Sequence, residues 1–420
     1  MQLPEGWLST TFNGAGVKII DGDRGKEYPK STDFSESGYC LFLSAKNVTK
    51  VGFLFDELQF IDSEREQKLR KGRVERGNLV LTTRGSVGQF AYYDDSVPYS
   101  VIRINSGMVV LDANDSTLMP EFLYALSRSH VIQRQIKVAS FGSAQPQLTV
   151  GIIKGIKVPV PPLPEQKKIA QILTTWDKAI TTTEQLLANS QQQKKALMQQ
   201  LLTGKKRLLD KNGVRFSGEW RECLVEDFFD VGSSKRVLQK DWQSDGVPFY
   251  RTRELVSLSK GEKFRSEIFI SKELFSGLSE KYGYPQEGDF LVSGVGTLGI
   301  SYQVKKGDRF YFKDGNVLWF KLKEGIHSDF FRYSFQSDFM QDQITAQSSV
   351  TTVGTFTIKN AKKTKFLCPP SINEQQKIAA VLSTADQEIT ALQQKLDALK
   401  QEKKALMQQL LTGKRRVKLN

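Results

Sequence analysis

The chain has 420 residues, 39% of them apolar and 25% charged, a composition that suits a globular protein of two domains and excludes a single ordinary core. It holds no run of about 18 apolar residues, and its start, MQLPEGWLSTTF, lacks the basic and apolar segments of a secretion signal, so neither a membrane span nor export is expected. A net charge of +14 points to a polyanionic partner, nucleic acid first, with acidic membrane surfaces and plain solubility as competing explanations.

The first stretch, residues 1–157, is rich in Phe, Tyr, Val, Gly and turn residues and reads as an α+β domain. LSAKNVTK (43–50) sets Lys46, Asn47 and Lys50 near a strand end. RKGRVERGN (70–78) is a basic loop containing Arg73. GNLVLTTRGSVG (77–88) is a strand running into a glycine turn that carries Arg84 and Ser86. PEFLYALSRSHVIQRQI (120–136) reads as helix, and FGSAQPQLT (141–149) as a loop with Gln145 and Gln147.

A helical spacer over 158–208 follows, opened by PPLPEQ. Its apolar seam, including Leu173, Ile180, Leu187, Leu197 and Leu201, steps alternately by four and three, the period of a coiled coil. Residues 209–365 form a second α+β domain. It carries Arg251 and Arg253 in YRTRELVS, Ser293 and Thr297 in GDFLVSGVGTLG, the loop QSSVTTVGT (347–355), and Lys362 and Lys363. FYFKD and VLWFKLK read as strands, and DFFRYSFQSDFM as helix. A second spacer, 366–420, repeats the seam through Leu382, Ile389, Leu396, Leu406 and Leu410, broken once by Lys403. Asn373 is the expected N-cap of its helix, with Gln376 as capping-box partner; Pro164 suits a first helical turn in the other copy. Gly204 and Gly413 mark the helix ends, and the KKR and KRR that follow suit a C-terminal dipole.

These elements are one unit written twice. KALMQQLLTGK stands at 195–205 and again at 404–414, and Glu165–Lys205 matches Glu374–Lys414 without a gap at 25 of 41 positions. The globular parts match far more weakly, so the helices are kept alike while the domains diverge. Each helix, about 40 residues and about 60 Å long, needs a partner. A homodimeric coiled coil between chains is one solution. The tethered copy in the same chain, at high effective concentration and running antiparallel, is the preferred one.

Catalytic patterns are missing. Gly294–Gly299 spells GxGxxG, but strand and turn follow it rather than a helix. A tight hairpin turn is the expectation there. GDRGKEY and LLTGKKR lack the rest of a phosphate loop, no Pro-Asp nuclease pattern occurs, and His130 and His327 stand apart from any acidic or cysteine cluster. The three scattered cysteines, Cys40, Cys223 and Cys368, fit a reduced cytosolic compartment. The pattern is that of a binding protein, its basic and amide loop residues being candidates for major-groove contacts. A scaffold that recruits proteins through its coiled coil is the alternative, and an enzyme in its own right a third reading.

The order domain, PPLPEQ, long helix, KALMQQLLTGK, then domain, PPSINEQ, long helix and KALMQQLLTGK resembles the specificity subunit of type I restriction–modification systems over the whole chain, as does the segment Gly288, Asp289, Leu291, Gly296, Gly299. Asn78 stands where Asp289 does in the second half, a mild departure. The resemblance implies two target-recognition domains with twisted sheets, separated by two conserved helices in an antiparallel intramolecular coiled coil. It implies double-stranded DNA as ligand, one half of a split, asymmetric site per domain, and a helical spacer that sets the gap. It further implies two modification (methyltransferase) subunits and restriction (translocase and endonuclease) subunits as partners in the cytoplasm. S-adenosylmethionine, ATP and Mg2+ would belong to those partners, and no metal or catalysis to this chain.

Overall fold

The computed structural model describes residues 3–140, 147–262, 268–348 and 354–419. The chain divides into two compact units, Met1–Glu184 with Gln394–Asn420, and Gln185–Gln393.

In the first unit four antiparallel strands, β1 (Lys18–Asp21), β2 (Leu79–Thr82), β3 (Phe90–Tyr92) and β4 (Met108–Asp112), lie in the order β1-β4-β2-β3. Alternate residues of a strand face opposite sides, and here both sides are covered. Leu79, Leu81, Val109 and Leu111 pack with Phe122 and Leu126 of α1 (Pro120–Ser127), Ile132 and Ile136 of α2 (His130–Ser140) and Leu173 of the long helix α3 (Leu163–Leu201). Val80 and Val110 face a second, mixed sheet built from Phe60–Ile61, Cys40–Leu43, Ile102–Ile104 and Arg73–Val74. Double coverage explains why β2 reads as a continuous apolar run rather than an alternation. An antiparallel pair, Leu8–Thr11 with Lys157–Val160, closes the domain just ahead of α3.

The second unit repeats this plan. Strands β5 (Phe229–Gly232), β6 (Phe290–Ser293), β7 (Ser301–Gln303) and β8 (Val317–Leu322) take the order β5-β8-β6-β7. Helices α4 (Ser328–Phe335) and α5 (Asp338–Ser348) cover one face, and α6 (Ile372–Leu410) is the second long helix. Where the first unit pairs Leu79 with Leu111, the second pairs Phe290 with Phe320. Phe229 and Phe331 fill the same core with ring centroids 4.3 Å apart. Similar backbones are thus packed by aliphatic side chains in one unit and aromatic ones in the other, so the cores share topology without identity. The closing pair here is Arg221–Leu224 with Lys365–Cys368.

FYFKD, VLWFKLK and NLVLTT supply strands as expected, and DFFRYSFQSDFM resolves into two helices broken at Gln336 and Ser337. One cap differs from expectation. α6 starts at Ile372, so Asn373 lies inside the first turn, and the carbonyl of Ser371 accepts the Glu374 and Gln375 amides instead. Every seam position of both long helices is buried or half-buried, Leu173, Leu187, Leu201, Leu382, Leu396 and Leu410 buried and Ile180, Leu197, Ile389 and Leu406 half-buried. The glycine closing LLTGK has φ +69° at Gly204 and +71° at Gly413. A Cβ on Gly413 would come within 2.5 Å of the Pro4 ring, so that position tolerates no side chain.

Candidate nucleic-acid interface

Within each unit the two long helices run antiparallel, and two of their ion pairs recur residue for residue. In the first unit Glu165 meets Arg416, Asp177 meets Lys403, and Glu184 meets Lys400 at 2.8 Å. In the second, Glu374 meets Arg207 at 2.6 Å, Asp386 meets Lys194 at 2.5 Å, and Ser190 donates to Glu388 at 3.1 Å. The third residue of the KKR and KRR triplets is therefore an ion-pair partner of a buried glutamate from the PPLPEQ or PPSINEQ motif, a role beyond the helix dipole. The neighbouring Gln166 is fully buried. It accepts from the Met119 amide at 2.8 Å and donates to the carbonyls of Thr117 and Pro161 at 2.8 and 2.9 Å. Gln375 does the same work toward His327 and Pro369, at 2.8 and 3.2 Å.

Lys403 interrupts the seam because it is spent on a partly buried node. Arg128 donates to both Asp177 oxygens at 2.8 and 2.9 Å while Lys403 bonds one of them. Burial, aided by the Arg128 charge, holds the Lys403 ammonium below its usual pKa despite Asp177. In the second unit Tyr333 donates to Asp386 at 2.8 Å and Arg332 stands 3.8 Å away. The helix-borne Asp and Lys repeat, but the domain-borne arginine comes from a different position of the covering helix.

The candidate DNA contacts fall into several groups. Asn47 is 2% exposed and its amide is saturated: it accepts from the Ser44 amide at 2.8 Å and donates to the Leu54 and Glu57 carbonyls at 3.0 and 2.8 Å. Ser293 is wholly buried, its hydroxyl donating to the Thr297 carbonyl at 2.5 Å. Neither can reach a base edge, so both expectations are corrected to scaffolding roles. Lys46 is exposed but pairs with Glu57 at 2.6 Å. Arg73 lies 3.5 Å from Glu66 and 3.2 Å from Glu75. Arg251 and Arg253 share Glu254 at 2.7 and 3.1 Å. Burial pushes the Glu254 carboxyl up, and hydrogen bonds from the Arg251 side chain and amide more than reverse this, so it stays below the usual carboxylate range.

Arg84 and Ser86 are exposed at the tip of the β2–β3 turn, and Gln147 joins them: with its amide oxygen turned to the guanidinium, it accepts from Arg84 Nη2 at 3.0 Å and Nε at 3.3 Å. Thr297 is exposed at the tip of the corresponding β6–β7 turn, the GxGxxG segment, which closes a hairpin. Lys50, exposed, tips the small hairpin Val48–Thr49/Gly52–Phe53 and lines a groove of about 480 Å³ with Lys403 and Lys404 rather than joining the turn. Lys363 is exposed and Lys362 half-buried at the end of the helix Ile358–Lys363. Gln145, and most of QSSVTTVGT, lie outside the described residues.

Sequence reasoning passed over Asp177, Asp386, Gln133, Gln341 and Val295. The signal for the first four was present: each is a polar residue identical in both copies at an otherwise apolar or variable stretch. Among the described residues no group of three His, Cys, Asp or Glu could hold a metal ion, and no helix is long and apolar enough to cross a membrane.

Two like domains, each tied by its last strand to a shared helix and presenting a basic or hydroxylic turn, define a tandem recognition protein. The family model described as type I restriction modification DNA specificity domain matches twice, over residues 17–189 and 217–401, and the chain belongs to that family. Its members' systems rely on specificity subunits for DNA sequence recognition and not for catalysis. The type I restriction enzyme MjaVIII specificity subunit of Methanocaldococcus jannaschii is 26% identical over 446 residues, covering 100% of this chain and 95% of that one. S.HindORF215P of Haemophilus influenzae is 31% identical over 245 residues, but that match spans only 57% of this chain and 58% of the relative. Among solved structures, the S subunit of a type I restriction–modification system from M. genitalium superposes with a TM-score of 0.60 at 13% identity, covering 100% of this chain and 99% of the other, a likeness of fold.

Proposed function

We propose that the chain reads a bipartite, asymmetric DNA site, one half through each globular domain, and docks modification and restriction subunits along its long helices. The observation that carries this is the unequal preservation of the two copies. The helix contacts Glu165–Arg416 and Asp177–Lys403 recur as Glu374–Arg207 and Asp386–Lys194, whereas the turn tips and cores have changed. Identical docking surfaces for two like partners would hold the helices constant. Two different half-sites would release the domains. The exposed Lys and Gln of KALMQQ, Lys195, Gln199 and Gln200 with Lys404, Gln408 and Gln409, supply the docking face.

On this reading S-adenosylmethionine, ATP and Mg2+ act in the partner subunits, and the chain works in the cytoplasm where genomic and invading DNA are met. The net charge of +14 supports duplex binding. The test is the affinity of the full chain for duplex from about 50 to 200 mM salt, against a random competitor. A steep negative slope with one sequence preferred by roughly 10³-fold or more supports the reading. Equal affinity for all duplexes would leave the protein a recruiting scaffold.

A further inference from the structure

The glycine turn after the second sheet strand is rebuilt bond for bond in the two domains. In the first domain Thr82 Oγ1 donates to the Ser86 carbonyl and accepts the Gln89 amide at 3.0 Å; in the second Ser293 Oγ donates to the Thr297 carbonyl and accepts the Ile300 amide at 2.9 Å. The Thr83 carbonyl accepts the Leu148 amide at 3.0 Å, and the Gly294 carbonyl accepts the Phe356 amide at 2.8 Å. Gln133 donates to the Gly88 carbonyl at 3.1 Å, and Gln341 to the Gly299 carbonyl at 3.4 Å. Val87 and Leu298 plug the fourth tip position onto the cores below. Gly85 and Gly296 have φ +69° and +83° with nothing within 4 Å of where a Cβ would stand, so both tips face open space.

Inside this constant frame the outward side chains differ in chemistry. The first domain presents Arg84, braced by Gln147, and Ser86. The second presents Val295 and Thr297, with Thr355 bridged to Val295 in the place of the brace. A frame held constant while its tip changes from a guanidinium and a hydroxyl to the methyl-bearing Val295, half-buried, and Thr297, exposed, is what a reader of differing bases requires.

We infer that the turn is a base-reading finger in each domain: Arg84 selects guanine through its N7 and O6, and the Val295 and Thr297 methyl groups select the C5-methyl of thymine. Ser293 and Thr82 are positioning residues that hold the finger. The chemistry follows from what the major groove displays, where guanine offers two acceptors to a guanidinium and thymine a methyl group. The assignment rests on the DNA-reading function proposed above.

The test selects the preferred duplex of the full chain from a random library, then measures binding to every single-base-pair substitution of it. Arg84→Val with Ser86→Thr should change one base pair of one half-site from G·C to A·T preference, discrimination there shifting by roughly 5- to 140-fold, while the other half-site is unaltered. Val295→Arg with Thr355→Gln should install a guanine preference in the other half. Ser293→Ala should relax discrimination at the same base pair as Val295→Arg and nowhere else, with the melting temperature followed alongside. Unchanged preference in both grafts overturns the inference. So does uniform weakening across all sequences with a salt slope lower by about 1, which marks a phosphate contact. A native chain with no sequence preference would instead sink the proposed function itself.

Discussion

Two acids, Asp177 and Asp23, show how single residues divide the labour of this protein. Asp177 joins two cations, Arg128 and Lys403, whose side chains are 19% and 10% exposed. Removing Lys403 leaves the bidentate Arg128 pair intact, whereas removing Asp177 leaves two like charges side by side in a poorly hydrated place. Asp177→Ala should therefore lower unfolding free energy by about 2 kcal/mol or more, and Lys403→Met by less than about 1 kcal/mol or not at all; urea unfolding of both variants checks the order. Asp23 offers a pH reading of the same logic. Burial pushes its carboxyl up, but the amides of Gly25 and Arg70, each 2.7 Å away, hold it below its ordinary value of 3.8. The folded state therefore binds fewer protons than the unfolded one below pH 3.8, and the Asp23 contribution, full above that value, fades as pH falls through the depressed pKa. Asp23→Asn should cost about 1–3 kcal/mol near neutrality, and its deficit against the parent should shrink toward zero on acidification; a deficit independent of pH would contradict the assignment.

At the scale of elements, the long helices were legible and most of the sheets were not, for a physical reason. A seam of period 3.5 carried over 39 residues is a local signal that repeats many times. The second sheets are assembled from strands as short as Phe60–Ile61 and Arg73–Val74, paired with partners far along the chain, and two residues carry no period. Exposure was legible from residue type at Arg84 and Ser86. That reading failed at Asn47 and Ser293, because a short polar side chain beside a turn serves the backbone as readily as a ligand. The same reasoning gives the PPLPEQ motif its meaning. Gln166 ties the start of α3 to the segment ahead of α1 by two hydrogen bonds in a buried site, with a third to the Pro161 carbonyl. Gln166→Leu should orphan the Met119 amide and the Thr117 carbonyl together and cost about 3 kcal/mol, read as a lower urea midpoint at unchanged slope. A neutral effect would mean that the helix start is held by the Glu165–Arg416 pair instead.

At the scale of the whole molecule, each 39-residue helix serves both compact units, α3 passing from one to the other after Glu184 and α6 after Gln393. On the proposed reading, both helices carry the spacing of the bipartite site. Lengthening one alone would put Asp177 out of register with Lys403 or Asp386 with Lys194, and the cost would appear as instability rather than as a new spacing. Seven residues added to each helix, between Glu184 and Gln185 and between Gln393 and Gln394, keep the seam in phase. They add about 10.5 Å at 1.5 Å per residue, close to three base pairs of duplex at about 3.4 Å each. The selected duplex should keep both half-site sequences, since no turn residue has changed, and widen its gap by about three base pairs. An unchanged gap with unchanged affinity would show that the helices do not measure the spacing. Loss of one half-site, with the other still read, would show that the lengthened chain no longer engages both half-sites together.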